Sequence, residues 1–227
     1  MLRDKKFRVA RIWSNNELKK IANLYTGDVV NVSAWKDQDK EGIKYRDYFS
    51  NASSYSVTNY NSEARGFQDT PGEIFLNLED KLPTDLIAKF DTVFNHTTLE
   101  HIYEFRMAFK NLCLMSKDTV IIVVPFLQQM HADYGDYWRF TPLALKKLFE
   151  ENNLSMIYCT FNEEAKSSIY IFAIATKNPD KWTNIQRTFS YQVKKTDLFD
   201  EAEPYIGNRS IKNSTTYSIL KKLRVIK

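Results

Sequence analysis

Residues 90–126 read FDTVFNHTTLEHIYEFRMAFKNLCLMSKDTVIIVVPF, and this stretch decides the fold. Phe90 to Asn95 reads as a short apolar strand. Leu99, Ile102, Phe105, Phe109 and Leu112 then recur at helical spacing as far as Met115. Every residue from Thr119 to Val124 is β-branched, and Pro125 ends the run. Strand, helix and buried strand in succession make a parallel β-α-β unit, because the helical crossover returns the chain to the same end of the sheet.

Working outward, the same alternation continues on both sides. Ser14 stands three residues before Glu17, the spacing of a capping box, which predicts a helix starting at Ser14 and stopping near Gly27. Strands follow at Asp28–Ser33, Ser54–Tyr60 and Glu73–Leu78, with short helices at Tyr45–Phe49 and Pro83–Lys89. Downstream, a long loop from Phe126 to Phe140 leads to a helix from Pro142 to Asn152, Pro142 suiting its first turn. Strands at Met156–Phe161 and Ser168–Thr176 have no room for a helix between them and so form an antiparallel edge. The expectation is an α/β sheet of about seven strands, mostly parallel, with helices on both faces. This domain spans residues 1–177, and residues 178–227 form a basic extension.

Charge supports that division. The chain carries +4 overall, yet from Lys177 onward 11 Lys or Arg face 5 Asp or Glu. The rest is slightly acidic, which gives no reason to expect nucleic acid as the partner. The extension ends in Ile219, Leu220, Leu223 and Ile226 among lysines and an arginine, a stripe suited to docking on its own domain, on a partner or on an acidic surface. Cys113 and Cys159 sit in apolar surroundings and read as buried free thiols, and with three histidines they make no zinc signature. No apolar run approaches a membrane span, and no signal peptide opens the chain, so a cytoplasmic location is expected.

Phe90-Asp91, Leu99-Glu100-His101 and Val124-Pro125 resemble the fourth-to-fifth-strand region of the Rossmann-like (class I) S-adenosylmethionine-dependent methyltransferases. The segment His131…Asp136-Tyr137-Trp138-Arg139-Phe140-Thr141-Pro142 is similar to an element of one branch of that family, whose members often modify sugars or surface polysaccharides. The resemblance is strong over residues 90–151 and loose over 28–177. It implies S-adenosylmethionine as cofactor, bound at the carboxyl ends of the strands by Asn31, Ser33, Ala34, Asn59, Asn77 and His96. It further implies transfer of a methyl group to a hydroxyl of a carbohydrate or a small phosphorylated precursor.

The first strand departs from that family. VNVSAWKDQDKEG stands where a glycine-rich turn is expected, and Asn31, Asn59 and Asn77 stand where acids are expected. Asparagine accepts hydrogen bonds without charge assistance, so the predicted cofactor site is weak. On the loop after the fifth strand, His131, Asp133 and Asp136 are the candidate proton acceptors, a role that a methyl-accepting hydroxyl requires. Tyr134, Tyr137 and Arg139 are candidate acceptor-binding residues, although Asp136 and Arg139 equally suit a local ion pair. Lys36, Lys40, Lys44 and Arg46 suit a phosphate, or a mixed-charge surface with the acids between them. Glu100 is explained by the favourable position of an acid at a helix start, and His101 by a helix-start hydrogen bond. The altered first loop also suits a catalytically inactive binding or scaffold subunit.

Overall fold

The computed structural model describes residues 4–61, 66–132, 135–162, 164, 166–183, 185, 206, 207, 219, 220, 223 and 225. Seven strands form one sheet: β1 (Asp28–Val32), β2 (Ser54–Asn59), β3 (Glu73–Phe75), β4 (Phe90–His96), β5 (Ser116–Leu127), β6 (Ser155–Phe161) and β7 (Ile169–Thr176). Their order is β3-β2-β1-β4-β5-β7-β6, all parallel except β7, which runs antiparallel to both neighbours. The expected antiparallel edge is therefore present. The register sets Val32 beside Asn95 and Asn95 beside Ile122, so the carboxyl ends of β1, β4 and β5 lie side by side.

The strand β5 shows why its sequence has no polar alternation. Val120, Ile122 and Val124 pack into one core with α3 (Phe105–Met115) and α4 (Pro142–Glu151). Ile121 and Val123 pack into a second core, on the opposite face, with α1 (Arg8–Ile21) and α2 (Tyr45–Tyr48). Where helices cover both faces, from Val120 to Val124, the strand is apolar at every position. Cys113 and Cys159 are both buried in the first core as free thiols, and burial pushes each up to about 12.

Four local expectations need correction. The helix α1 starts at Arg8, so Ser14 lies inside it and donates to the Arg11 carbonyl rather than capping. Glu17 is not a capping partner but accepts from the Tyr158 hydroxyl at 2.6 Å. Residues 99–115 do not form one helix: a 3₁₀ turn at Leu99–His101 is followed by extended Ile102, and α3 begins only at Phe105. The Glu100 carbonyl, which a continuous helix would pair with the Glu104 amide, instead accepts from Tyr137 and Trp138 at 2.7 and 3.2 Å. Finally, β3 stops at Phe75, because the Asn77 side chain accepts from the Glu79 amide and turns the chain. The region expected as a helix before β4 holds only a 3₁₀ turn, Thr84–Leu86. Thr141, by contrast, caps α4 by accepting from the Ala144 amide, with Pro142 next in line as the sequence predicts.

Candidate functional site

At the carboxyl end of β1 the chain makes a tight turn without glycine. Ser33, Trp35 and Asp37 adopt φ of +57°, +50° and +52°, left-handed conformations that ordinarily cost a side-chain-bearing residue about 1 kcal/mol or more. Such strain persists only where surrounding contacts over-determine it, and here they do. Asp37 is buried and accepts from Asn31 Nδ2 at 2.8 Å, the Tyr55 hydroxyl at 2.7 Å and the Arg46 amide at 3.2 Å. Asp39, also buried, accepts from the Tyr48 hydroxyl at 2.5 Å and from the amides of Glu41 and Ile43. Asn59 closes the turn from β2: its Oδ1 accepts from the Trp35 amide at 2.6 Å, while its Nδ2 donates to the Trp35 carbonyl and to Glu73. Asn31 and Asn59 are therefore already engaged within the protein. Asn77 lies two residues past β3, where it also donates to Asp80. Ser33 and Ala34 remain partly accessible, their amides paired with Thr58.

His96 ends β4 beneath α1, within 2.9 Å of Ser14 Oγ and 3.1 Å of Thr97 Oγ1, with the Tyr45 ring 5.8 Å away. Burial, then the nearby Arg11 charge, hold its imidazole well below its usual range, so it is neutral at pH 7. Beside β1, buried Asn95 donates to the Val32 carbonyl, and its Oδ1 has no hydrogen-bond partner among the described residues.

A second polar cluster sits at the ends of β4 and β5. Arg139 grips Asp136 with two hydrogen bonds, at 2.5 and 2.7 Å, and its other donors reach the carbonyls of Gln128 and Gln129. The ion pair suggested by sequence is thus present and closes the loop. Burial opposes the Asp136 charge, but the hydrogen bonds from Arg139 and the His131 amide outweigh it and hold the carboxyl down to about 2. His131 Nδ1 lies 3.2 Å from Asp136 Oδ2. Desolvation lowers the His131 pKa despite that carboxylate, so the ring is a neutral acceptor near pH 7. Tyr137 is half exposed and stacks edge-on against Tyr103, whereas Trp138 packs on the core beside Phe105. Asp133 and Tyr134, also candidates from sequence, lie outside the described residues.

Glu100 and His101 join this cluster, and sequence reasoning undervalued both. Glu100 is fully buried, not at a solvated helix start, and neither carboxylate oxygen has a hydrogen-bond partner among the described residues. Desolvation raises its pKa to about 8. His101 Nδ1 lies 2.6 Å from the carbonyl of Gly135, whose φ of +117° only glycine adopts readily, and its ring centroid is 5.0 Å from that of His131. A cleft of about 530 Å³ opens on the side of β2 between residues 35–46 and 68–73; Trp35, Asp37, Tyr55 and Glu73 of the first cluster line it, with Lys36, Lys44 and Arg46 in its wall. Lys36 and Arg46 lie over the Trp35 and Tyr55 rings, and Lys44 donates to the Lys36 carbonyl.

No protein-family model matches the chain, and no curated protein does. Solved structures do match in shape. A provisional methyltransferase from Bacillus halodurans superposes with a TM-score of 0.54 at 12% identity, over 71% of this chain and 97% of that one. An S-adenosylmethionine-dependent methyltransferase from Clostridium acetobutylicum gives 0.52 at 9% identity, over 74% and 91%. The magnesium protoporphyrin IX methyltransferase of Synechocystis, solved with S-adenosylmethionine bound, gives 0.50 at 13% identity, over 76% and 82%. The fold is the class I methyltransferase fold. That fold implies S-adenosylmethionine, and the chain's turn after β1 tests the fit. Its backbone takes left-handed conformations at Ser33, Trp35 and Asp37, and the Asn95 oxygen beside it has no hydrogen-bond partner among the described residues. Its side chains, however, already pair with one another. The residues therefore fit the cofactor only where it takes over those internal bonds.

Proposed function

We propose that this chain transfers a methyl group from S-adenosylmethionine to a hydroxyl of a carbohydrate or small phosphorylated precursor, in cytoplasmic surface-polysaccharide synthesis. The observation that carries this reading is the His131–Asp136 pair beside the carboxyl ends of β4 and β5, on a sheet with the methyltransferase strand order. Ligands of such sheets bind outside the carboxyl ends of the strands. The Synechocystis structure holds S-adenosylmethionine, which supports the choice of cofactor. Likeness of the Asp136–Pro142 segment to the sugar-modifying branch supports the choice of acceptor.

In this reading Ser33, Ala34, Asn59, Asn77 and His96 hold the cofactor, which supplies an electrophilic methyl group when bound. His131 accepts the acceptor's hydroxyl proton on Nε2 while Asp136 holds the ring through Nδ1. Arg139 keeps Asp136 ionised and in place. Tyr137 offers an exposed ring to the acceptor, and Asp133 and Tyr134 belong to the same loop. Lys36, Lys44 and Arg46 at the cleft suit a phosphate on a precursor. A second reading, an inactive methyltransferase fold serving as a binding subunit, is favoured by one observation, the internal pairing of Asn31 and Asn59. The basic extension, residues 178–227, would then meet a partner or an acidic surface; it lies mostly outside the described residues.

A screen of nucleotide-linked and phosphorylated sugars with methyl-labelled S-adenosylmethionine tests the first reading. Label transferred to a hydroxyl is the expected result. Absence of transfer, together with absence of cofactor binding, hands the case to the second.

A further inference from the structure

We propose that Glu100, His101 and His131 form a binding site for one divalent transition-metal ion. The proposal goes beyond methyl transfer and does not depend on it. One ligand atom from each residue lies within 4.8 Å of the others. Protein ligands bind such ions at about 2.0–2.2 Å, so the three need close by only about 1 Å around one.

Two independent features point to a ligand. The first is Glu100, a wholly buried carboxyl whose two oxygens have no hydrogen-bond partner among the described residues. A buried group of this kind ordinarily finds partners, and its lack of them is the mark of a donor set without its ligand. The second is the pairing of each imidazole's other nitrogen. A carbonyl only accepts, so the 2.6 Å contact with Gly135 requires the His101 proton on Nδ1. That leaves the lone pair on Nε2, which lies 3.7 Å from Glu100 Oε1. His131 Nδ1 faces the Asp136 carboxylate in the same way, which directs its own lone pair to Nε2. Carbonyls and carboxylates behind the ring are the usual supports of metal-binding histidines, because they fix the tautomer and the orientation.

Two imidazoles and one carboxylate suit zinc or ferrous iron, and leave coordination positions open. The remaining neighbours temper the site. The Gln128 amide nitrogen lies 3.2 Å from both nitrogens of His131 and must give way at Nε2. Arg139 is neutralised by Asp136, but Arg11, whose buried Nε has no hydrogen-bond partner among the described residues, adds an opposing charge. Affinity should therefore fall below that of a closed structural site. A metal on His131 Nε2 takes that lone pair out of proton transfer and itself acidifies a bound water or hydroxyl. Metal and free base are thus alternative uses of one end of the site.

The test uses the full chain, stripped with a chelator that is then removed. Zn²⁺ is titrated by calorimetry, and Co²⁺ is followed by visible absorption near neutral pH. The expected result is one equivalent per chain, with cobalt bands typical of a nitrogen–oxygen site. His131→Ala, His101→Ala and the isosteric Glu100→Gln should each weaken binding by at least about 100-fold, more than the loss of an outer partner costs. Circular dichroism identifies any variant that misfolds, and the remaining two then carry the test. Absence of saturable binding overturns the proposal, as does affinity that survives the His101→Ala, His131→Ala double change.

Discussion

The two halves of the sheet's carboxyl edge hold similar numbers of polar side chains and treat them in opposite ways. Beside β1 and β2, Asp37 and Asp39 are buried and saturated with donors, and Asn59 spends both ends of its amide on the Trp35 backbone and Glu73. Beside β4 and β5, Glu100 is buried too, yet neither oxygen has a hydrogen-bond partner among the described residues. Burial is thus common to Asp37, Asp39 and Glu100, and hydrogen-bond satisfaction is what separates the first two from the third. Saturated groups fix a strained turn. The unsaturated Glu100 carboxyl is the group on which the proposed metal site rests.

The largest effect expected from this contrast is at His131. His131→Ala should lower turnover by about 10²–10⁴-fold, the usual contribution of a general base, with little change in thermal stability. Rate should fall as pH drops through the His131 pKa, which lies below the ordinary histidine value. A rate within a few-fold of wild type would make His131 a loop residue and move the base elsewhere.

Next comes Asp37. Asp37→Ala strands the Asn31 amide, the Tyr55 hydroxyl and the Arg46 amide. Each buried donor left unpaired costs about 1–3 kcal/mol, so urea unfolding should show a loss of about 3 kcal/mol. A change under about 0.5 kcal/mol would mean that the turn is held by something other than this acid.

The third effect has the opposite sign. Glu100 titrates near 8 in the fold against 4.5 in an open chain, so the fold holds a proton that the unfolded chain releases between those values. Stability from this group is complete below about pH 4.5 and is lost as pH rises toward 8. In chelator, Glu100→Gln should match wild type near pH 4 and exceed it at pH 8 by roughly 2 kcal/mol or more. A variant less stable than wild type at pH 8 would show that the carboxylate has a partner after all.

Much of this architecture was readable in the residues. The β-branched run of β5 announced a doubly covered strand, and strand spacing announced the parallel sheet and its antiparallel edge. What escaped was set by distant contacts. Nothing local tells that Tyr137 and Trp138 will take the Glu100 carbonyl and break the helix expected there. The pattern that resembled a capping box at Ser14 was overruled by a helix that starts six residues earlier and by Tyr158 reaching Glu17. At the site, the loss of acids at Asn31 and Asn59 was visible, but the acids that took over their surroundings, Asp37 and Asp39, read only as surface charge. His101 and His131 stand thirty positions apart, with no spacing to suggest that their rings meet.

The half of the edge beside β1 and β2 has turned its polar groups inward, and a weak grip on the cofactor is the expected consequence. Calorimetric titration of S-adenosylhomocysteine into the full chain tests this most directly. Binding with Kd of about 10 µM or weaker is expected, equivalent to at most about 7 kcal/mol. Sub-micromolar affinity that also survives Asn59→Ala and Asn77→Ala together would contradict it.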